Sequence, residues 1–419
     1  MRKYFLNIII TVLAAVSFTA CTEDENSAIG GTPIVRYVRP CDATISDSLL
    51  TKSYLGSRIT IIGEQLAGVT SIYFNDQKAT LNPNFVTENA IIVDVPSGIP
   101  GLKEDLIKLY TSTDSCYYTF ETLVPAPTVK SMSCEYVSDG DVAHIQGLYF
   151  VNDAASPLKV SFEGGLEAEI ISQNITDLEV KVPVGAQPGP ITVTSAYGEA
   201  ESSLWFRDNR NIILTFNSDS YPDYGYFFGW HGGAGVGTAN GINGNYLIFT
   251  GEEMTDDSWN DTKFGFEKWT YLPTDPDLVD AGKLSDYVLK FEANIPDVWS
   301  AAALQIVFTG AQDVMLNWQN GNGLTYSSDW SAANGYLSDK AWPRALWIPW
   351  ASTGTFQTDG WITVTIPMID FKFNGDGGSV SPKGAGHYSG ITLLVNSGGI
   401  KGTPCTPTFW IDNVRIVEK

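Results

Sequence analysis

The stretch Leu178-Glu179-Val180-Lys181-Val182-Pro183-Val184-Gly185 carries the pattern that decides the fold of the N-terminal half. Apolar side chains at every second position alternate with Glu179 and Lys181, which is typical of a β-strand buried on one face. The Pro-x-Gly ending then predicts a turn. Ile91-Ile92-Val93-Asp94-Val95-Pro96-Ser97-Gly98 closes in the same way. The chain therefore contains an internal repeat.

Each copy of the repeat has two further strand patterns before this ending. The first ends in glycine, at residues 57–63 and 141–147, and the second reaches a phenylalanine, within residues 69–75 and 158–163. Copies of this length suit immunoglobulin-like sandwiches. We predict one domain over residues 33–123 and another over 124–206, joined through Pro125 and Pro127, which favour an extended connection.

The third segment, residues 207–419, has short strand patterns and no stretch that predicts a long amphipathic helix. The 40 glycines and 21 prolines of the chain also favour strands and turns over helices. We predict an all-β protein, with two immunoglobulin-like sandwiches followed by a larger jelly-roll-like β-sandwich. The strands expected in the third segment lie at 212–216, 287–292, 304–308, 361–367, 391–395 and 409–416.

The net charge of -22, with only 25 Lys and Arg residues, bounds the kind of ligand. Nucleic-acid binding requires a basic surface, so we expect no nucleic-acid partner. Polyanionic glycans are disfavoured for the same reason. A neutral ligand is compatible with this charge, which also favours solubility outside the cell.

The N-terminus has the form of a lipoprotein signal. Met1-Arg2-Lys3 is basic, residues 6–16 are apolar, and Phe18-Thr19-Ala20-Cys21 resembles a lipobox, with Phe18 where Leu is usual. We expect a signal peptide over 1–20 and lipidation of Cys21, which would anchor the chain to a membrane. The acidic run at 22–26 lies in a linker over 21–32; it is either a surface-export signal or a solvated spacer.

The other cysteines, Cys41, Cys116, Cys134 and Cys405, lack zinc-ligand spacing, and disulfides and free thiols both remain open. Residues 374–378 read as a plain Gly-rich turn, with calcium binding as the alternative. We predict no metal and no cofactor.

All twelve tryptophans lie between Trp205 and Trp410. Indole faces stack on the apolar face of a sugar ring, and long aromatic loops such as 317–350 are usually functional. If 347–350 were a polyproline-II turn, Trp347 and Trp350 would share a side; in a strand they would point to opposite sides. Trp205, Trp269, Trp361 and Trp410 are interpreted as structural. The predicted glycan-binding residues are Trp330, Trp347 and Trp350, with Trp230, Trp299, Asp329, Tyr336, Trp342 and Arg344.

Catalysis finds little support in the sequence. No E-x-D-x-x-E strand motif and no G-x-S-x-G motif occur, and the chain has three histidines. We predict a protein that is not an enzyme. The alternatives are a glycoside hydrolase or lyase with an unrecognised carboxylate pair, and an adhesin that binds protein and buries its aromatic rings.

Three groups of residues carry a family resemblance. Residues 33–123 and 124–206 resemble IPT/TIG domains. The motifs at 206–210, 349–350, 360–367 and 410–414 look like the C-terminal module of the xyloglucan-binding type. Together with the lipobox, they make the chain similar to the surface glycan-binding lipoproteins of Bacteroidetes polysaccharide-utilisation systems.

This resemblance implies a non-catalytic protein, lipid-anchored and exposed at the outer membrane. Its ligand would be a neutral polysaccharide, a β-glucan such as xyloglucan, mixed-linkage or β-1,3-glucan, with the linkage left open. Its partners would be the outer-membrane glycan transporter and surface glycosidases of the same system.

Overall fold

The computed structural model describes residues 31–45, 47–154, 156–218, 235–255, 265–268, 275–310, 313 and 341–419, and the backbone of 226–227, 316–318 and 324–326. The described chain is built almost entirely of β-strands, which confirms the predicted all-β class. It divides into one compact unit that ends at Pro125 and another from Ala126 to Lys419. No helix in the described part is long and apolar enough to cross a membrane.

The first unit is a sandwich of a three-stranded sheet, β1-β3-β6, and a four-stranded sheet, β5-β4-β7-β8, with a small parallel pair, β2-β9. Inward side chains such as Ile61, Ile72, Phe74 and Leu109 form its own core. The strands are β1 Ile34–Pro40, β2 Lys52–Tyr54, β3 Arg58–Glu64, β4 Ser71–Phe74, β5 Gln77–Lys78, β6 Ala90–Asp94, β7 Leu106–Tyr110, β8 Ser115–Thr119 and β9 Glu121–Leu123, with 3₁₀ turns at Ala43–Ile45 and Pro83–Phe85.

The strands that follow form two four-stranded sheets, β10-β11-β15-β14 and β13-β12-β16-β17. Val160, Phe162, Val180 and Val193 belong to the core between them. The strands are β10 Thr128–Met132, β11 Val142–Leu148, β12 Lys159–Glu163, β13 Leu166–Glu167, β14 Glu169–Gln173, β15 Asp177–Lys181, β16 Gln187–Ser195 and β17 Gly198–Phe206.

The glycine that ends the first strand of each repeat has the same structural cause in both domains. A Cβ on Gly63 would lie 2.0 Å from the carbonyl oxygen of Ile34, and a Cβ on Gly147 would lie 1.9 Å from that of Thr128. Both positions face a register shift in the neighbouring edge strand. The strand crosses so close to its neighbour's backbone that a side chain does not fit.

The C-terminal sandwich packs a six-stranded sheet, β20-β21-β30-β23-β28 with β18 also on β30, against a five-stranded sheet, β19-β22-β29-β24-β27; β25 and β26 form a hairpin. Its strands are β18 Ile212–Leu214, β19 Tyr226–Phe227, β20 Gly235–Gly237, β21 Tyr246–Phe249, β22 Gly265–Lys268, β23 Tyr287–Asn294, β24 Ala303–Thr309, β25 Leu316–Trp318, β26 Leu324–Tyr326, β27 Ala345–Trp347, β28 Ile362–Pro367, β29 Gly390–Asn396 and β30 Phe409–Glu418, with 3₁₀ turns at Ala281–Asp286, Pro349–Ser352 and Met368–Asp370.

A buried ion network joins the second immunoglobulin-like domain to this sandwich. Arg415 of β30 is fully buried and donates to Glu292 Oε2 at 2.8 Å and to Glu135 Oε2 at 2.7 Å. Lys290 pairs with the other oxygen of Glu135. Burial raises the pKa of the Glu292 carboxyl, an effect that Arg415 opposes. Two cations and two carboxylates thus compensate one another, as buried charges require.

The described cysteines, Cys41, Cys116, Cys134 and Cys405, are free thiols, so the open question between disulfides and thiols is answered in favour of thiols. Burial raises the pKa of Cys134 to about 12.

The turn at 374–378 is held by Asn374, whose Oδ1 accepts from the N–H of Gly378 at 2.7 Å and of Asp376 at 3.1 Å. This is the geometry of a side-chain-capped turn. Within the described residues, no group of three or more His, Cys, Asp or Glu side chains could hold a metal ion.

Candidate functional site

The structure describes part of the predicted glycan-binding set. Trp299, Trp342, Arg344, Trp347 and Trp350 are described. Trp230, Asp329, Trp330, Tyr336 and the predicted lipidation site Cys21 lie outside the described residues.

Trp299 belongs to the core of the C-terminal sandwich, contrary to its predicted role in binding. It is fully buried, and its ring centroid lies 4.8 Å from that of Phe409 and 5.3 Å from that of Trp347. Its indole N–H donates to Ala301 O at 2.7 Å. Both ring and N–H are occupied inside the protein, so a sugar cannot stack on Trp299.

Trp347 and Trp350 also pack inward. Trp347 ends β27 and is half-buried, with Phe291 at 5.6 Å and Phe356 at 5.8 Å between ring centroids. Trp350 lies in the following 3₁₀ turn, is 3% exposed and donates its N–H to Ala302 O at 2.9 Å. Trp350 therefore stabilises the core, and its predicted role as a stacking surface is wrong. The segment is a strand end followed by a tight turn, which was neither of the two predicted geometries.

Arg344 is also fully buried, which contradicts its assignment as a hydroxyl-reading side chain. Its Nη1 donates to Gln305 Oε1 at 2.8 Å, and its Nε donates to the carbonyl oxygen of Trp342 at 3.0 Å. Gln305 in turn donates to Gly375 O at 3.0 Å. The guanidinium ties the start of β27 to β24 and to the turn at 375, so its role is to position neighbouring backbone.

Trp342 is the described member of the predicted set that remains at the surface of the sandwich. Lys383 Nζ lies 3.7 Å from the centroid of its ring, in a cation–π contact, and the His387 ring lies 6.1 Å away. His387 is held by Asp313 at 2.9 Å, and burial raises the pKa of that carboxyl. Lys383 and His387 were not predicted from the sequence, because they are distant from Trp342 along the chain and no motif near Trp342 indicates them.

The outer face of the five-stranded sheet carries polar side chains among apolar ones, the latter being Ala303, Val307 and Leu394. In β24 and β29, Gln305, Thr309, Thr392 and Asn396 point away from the core and are fully or almost fully buried. Thr309 Oγ1 and Asn396 Nδ2 have no hydrogen-bond partner in the described part of the chain. β24 and β27 are neighbours in this sheet, so the aromatic loop between residues 309 and 345 begins and ends beside this face.

A second aromatic cluster lies on the outer face of the six-stranded sheet. The Trp361 and Trp410 ring centroids are 6.0 Å apart, and Tyr246 is 5.5 Å and 4.9 Å from them. Trp361 Nε1 donates to Asn240 O at 3.2 Å, and the Tyr246 hydroxyl donates to Ala239 O at 2.8 Å. These bonds hold the segment before β21, in agreement with the structural interpretation of Trp361 and Trp410.

Immunoglobulin-like domains in front of a sandwich with aromatic and polar groups at its rim define a modular binding protein. Comparison with known proteins agrees. Residues 206–418 match the family described as surface glycan-binding protein B xyloglucan binding domain, and residues 43–120 match the IPT/TIG domain. The chain belongs to the surface glycan-binding protein B family.

Two relatives illustrate the likeness. The crystal structure of the surface glycan-binding protein PbSGBP-B from Prevotella bryantii has 30% sequence identity and a TM-score of 0.80, covering 93% of this chain and 99% of that one. An IPT/TIG domain-containing protein of Bacteroides ovatus is 24% identical over 284 residues, 63% of this chain. The chain spans 56% of the length of that curated relative.

Proposed function

We propose that this protein is a non-catalytic, cell-surface binder of a neutral polysaccharide, namely a β-glucan such as xyloglucan, mixed-linkage or β-1,3-glucan. The observation that carries the proposal is the family match over residues 206–418, which coincides with the C-terminal sandwich. The net charge of -22 supports a neutral ligand over a polyanionic one.

We place the glycan at the outer face of the five-stranded sheet. The loop between β24 and β27 carries Asp329, Trp330 and Tyr336, and Trp342 lies shortly before β27 begins. Stacking by these aromatic rings supplies apolar contact to the sugar rings. Trp230 stays in the proposal as a loop residue. Trp299, Arg344, Trp347 and Trp350 support this site from within the fold.

The test is affinity gel electrophoresis against xyloglucan, mixed-linkage β-glucan and β-1,3-glucan, with polygalacturonate as a charged control. We expect a neutral β-glucan to retard the protein. The double variant Trp330→Ala/Trp342→Ala should lose most of that retardation, and the matched variant Trp361→Ala, altered on the opposite sheet, should keep it. The reverse result would move the site to the Trp361 cluster.

Two measurements separate binding from the other candidate functions. Release of reducing sugar from the retained glycan would favour a hydrolase, whereas we expect unchanged polysaccharide after prolonged incubation. If no glycan retards the chain, a protein-binding adhesin becomes the better reading. The described buried carboxylates Glu135 and Glu292 share Arg415, which supports a structural use for them.

The remaining predictions concern placement of the chain. We propose that residues 1–20 are a signal peptide, that 21–32 form a linker, that 33–123 and 124–206 are IPT/TIG-type spacers, and that 207–419 is the binding domain. Lipidation of Cys21 would anchor the protein in the outer membrane beside a glycan transporter and surface glycosidases. A Cys21→Ala variant should leave the membrane fraction, and external protease should cleave the wild-type protein on intact cells.

A further inference from the structure

Three tyrosines lie next to one another on the open face of the four-stranded sheet in the first immunoglobulin-like domain, where Tyr73 and Tyr117 lie on either side of Lys108 and Tyr110 is two residues further along β7. Tyr73 of β4, Tyr110 of β7 and Tyr117 of β8 point away from the core. Ring centroids are 5.7 Å apart for Tyr73 and Tyr110, and 6.3 Å apart for Tyr110 and Tyr117, in edge-to-face pairs. Tyr117 is 57% exposed. We call these three residues the tyrosine stripe.

Polar groups surround the tyrosine stripe. A shallow depression of about 390 Å³ lies along it. Lys108 pairs with Glu104, and Asp76 Oδ2 accepts from the N–H of Gly101 at 3.0 Å, so both side chains have partners within the domain. Apolar ring faces flanked by hydroxyl, amide and paired charged groups suit a neutral polyhydroxylated ligand. The depression is lined by Ser71, Tyr73, Asn75, Asp76, Lys108 and Tyr110.

The fold itself does not require these aromatic side chains. The second immunoglobulin-like domain repeats the same sheet. Its register agrees with that of the first over Ser71–Tyr73, Lys108–Tyr110 and Ser115–Tyr117, and register shifts follow at Ser161/Glu163 and Pro190/Thr192 in the second domain. The positions of Tyr73, Tyr110 and Tyr117 are occupied there by Ser161, Thr194 and Glu201, respectively. Cross-strand tyrosine pairs do stabilise a sheet, yet the second copy forms the same sheet without them.

We propose that the tyrosine stripe is a second carbohydrate-contact surface, which binds the same class of neutral β-glucan as the C-terminal sandwich. This inference rests on the proposed function for the identity of the ligand. It gives the first domain a share in binding beyond the spacer role. A long polysaccharide that engages both surfaces is held more tightly than by either alone, because the second contact becomes intramolecular.

The test uses the full chain labelled with 3-fluorotyrosine and ¹⁹F NMR, with resonances assigned by single Tyr→Phe variants. Xyloglucan oligosaccharides and cello-oligosaccharides are the probes. We expect them to shift the resonances of Tyr73, Tyr110 and Tyr117. The matched controls are Tyr37 and Tyr54, which are 37% and 59% exposed outside this sheet and should not shift.

A second arm replaces the tyrosine stripe with the residues of the second domain, as Tyr73→Ser/Tyr110→Thr/Tyr117→Glu. Polysaccharide affinity should fall several-fold, up to about tenfold, the size expected for lost ring contacts, with an unchanged circular dichroism spectrum as the folding check. Stripe shifts that persist in Trp330→Ala/Trp342→Ala would also support the inference. If a glycan retains the wild-type protein and the resonances of the tyrosine stripe do not shift, this inference is overturned and the proposed function stands. If no glycan retains the wild-type protein, the proposed function falls and this inference falls with it.

Discussion

The two immunoglobulin-like domains share the strand order of one four-stranded sheet, β5-β4-β7-β8 in the first and β13-β12-β16-β17 in the second, and differ in the side chains on its outer face. Inward positions are apolar in both, as with Ile72 in the first domain and Val160 in the second. The outward positions carry a tyrosine stripe in the first domain and Ser, Thr and Glu in the second. The comparison teaches that the core of this fold constrains one face of each strand, and the other face can acquire a separate task.

The domains differ again in how they end. The first has a compact unit to itself, whereas the second shares a unit with the C-terminal sandwich through Glu135, Lys290 and Arg415. Its Tyr136 hydroxyl also donates to the carbonyl oxygen of Asp208 at 2.8 Å. The second domain is therefore part of the structure of the binding module.

The largest expected effect is from Arg415→Ala, which leaves Glu292 buried without its cation and Glu135 with Lys290 alone. Breaking such a pair costs about 3–5 kcal/mol, so the unit from Ala126 onwards should unfold at much lower denaturant. Differential scanning calorimetry should show its transition moving while that of the first domain stays. Arg58→Ala, which breaks an exposed pair with Asp94, is the control and should leave the stability almost unchanged. Equal shifts in both transitions would contradict the conclusion that the buried ion network stabilises only the unit from Ala126 onwards.

Gly63→Ala and Gly147→Ala test the feature that the domains have in common. Each added methyl meets a backbone carbonyl of the edge strand, so each should destabilise its own domain by about 1–3 kcal/mol. Gly384→Ala is the control, because no atom lies within 4 Å of its added Cβ. Differential scanning calorimetry, which reports the transition of each unit, would measure all three. An unchanged free energy of unfolding for Gly63→Ala or Gly147→Ala would show that the edge strand shifts to accommodate the added methyl group.

The buried ion network around Arg415 also predicts a pH dependence of the stability. The folded-state pKa of Glu292 is raised by burial, so its stabilising contribution is complete below the unfolded pKa and is lost as pH rises through the folded value. The wild-type chain should lose stability relative to Glu292→Gln as pH rises from about 4 to 8. Urea midpoints across this range check it. A parallel pair of curves would mean that Arg415 compensates the charge fully.

The smallest expected effect is a transfer of the tyrosine stripe to the second domain. Ser161→Tyr/Thr194→Tyr/Glu201→Tyr places rings at the same register positions. If ring placement is sufficient for contact, affinity gels should show slightly stronger retardation, by a few-fold at most. The Phe triple at these positions is the control for the hydroxyl groups. No gain from either variant would mean that the polar neighbours of the first domain are also needed.

The alternation of apolar and polar residues predicted the strands well, because a strand that is buried on one face needs an apolar side chain at every second position. β15 and β28 were both expected from their period of two residues. The roles of Trp299 and Trp350 were not predictable in the same way, because their partners are distant in the sequence. Phe409 of β30 packs on Trp299, and Ala302, just before β24, accepts from Trp350; only the fold brings these residues together. The cation for Glu135 lies 280 residues away.

The tyrosine stripe was missed for a related reason. Each of its residues occupies an ordinary outward position, between inward residues such as Ile72 and Phe74. Only the register of β4, β7 and β8 aligns the rings. Aromatic residues at outward positions of predicted strands were the signal available in the sequence, and it was not used.

The place of β30 in the sheet has a consequence for the order of folding. This strand, Phe409–Glu418, pairs with β18, β21 and β23, so the central ladder joins segments separated by more than a hundred residues, and by about two hundred for β18. Non-local pairing of this kind is slow to form. During synthesis, the first immunoglobulin-like domain can complete its core early, whereas the sandwich must wait for its last strand. The glycan-binding end of the molecule is thus the part that depends longest on protection from aggregation while it matures.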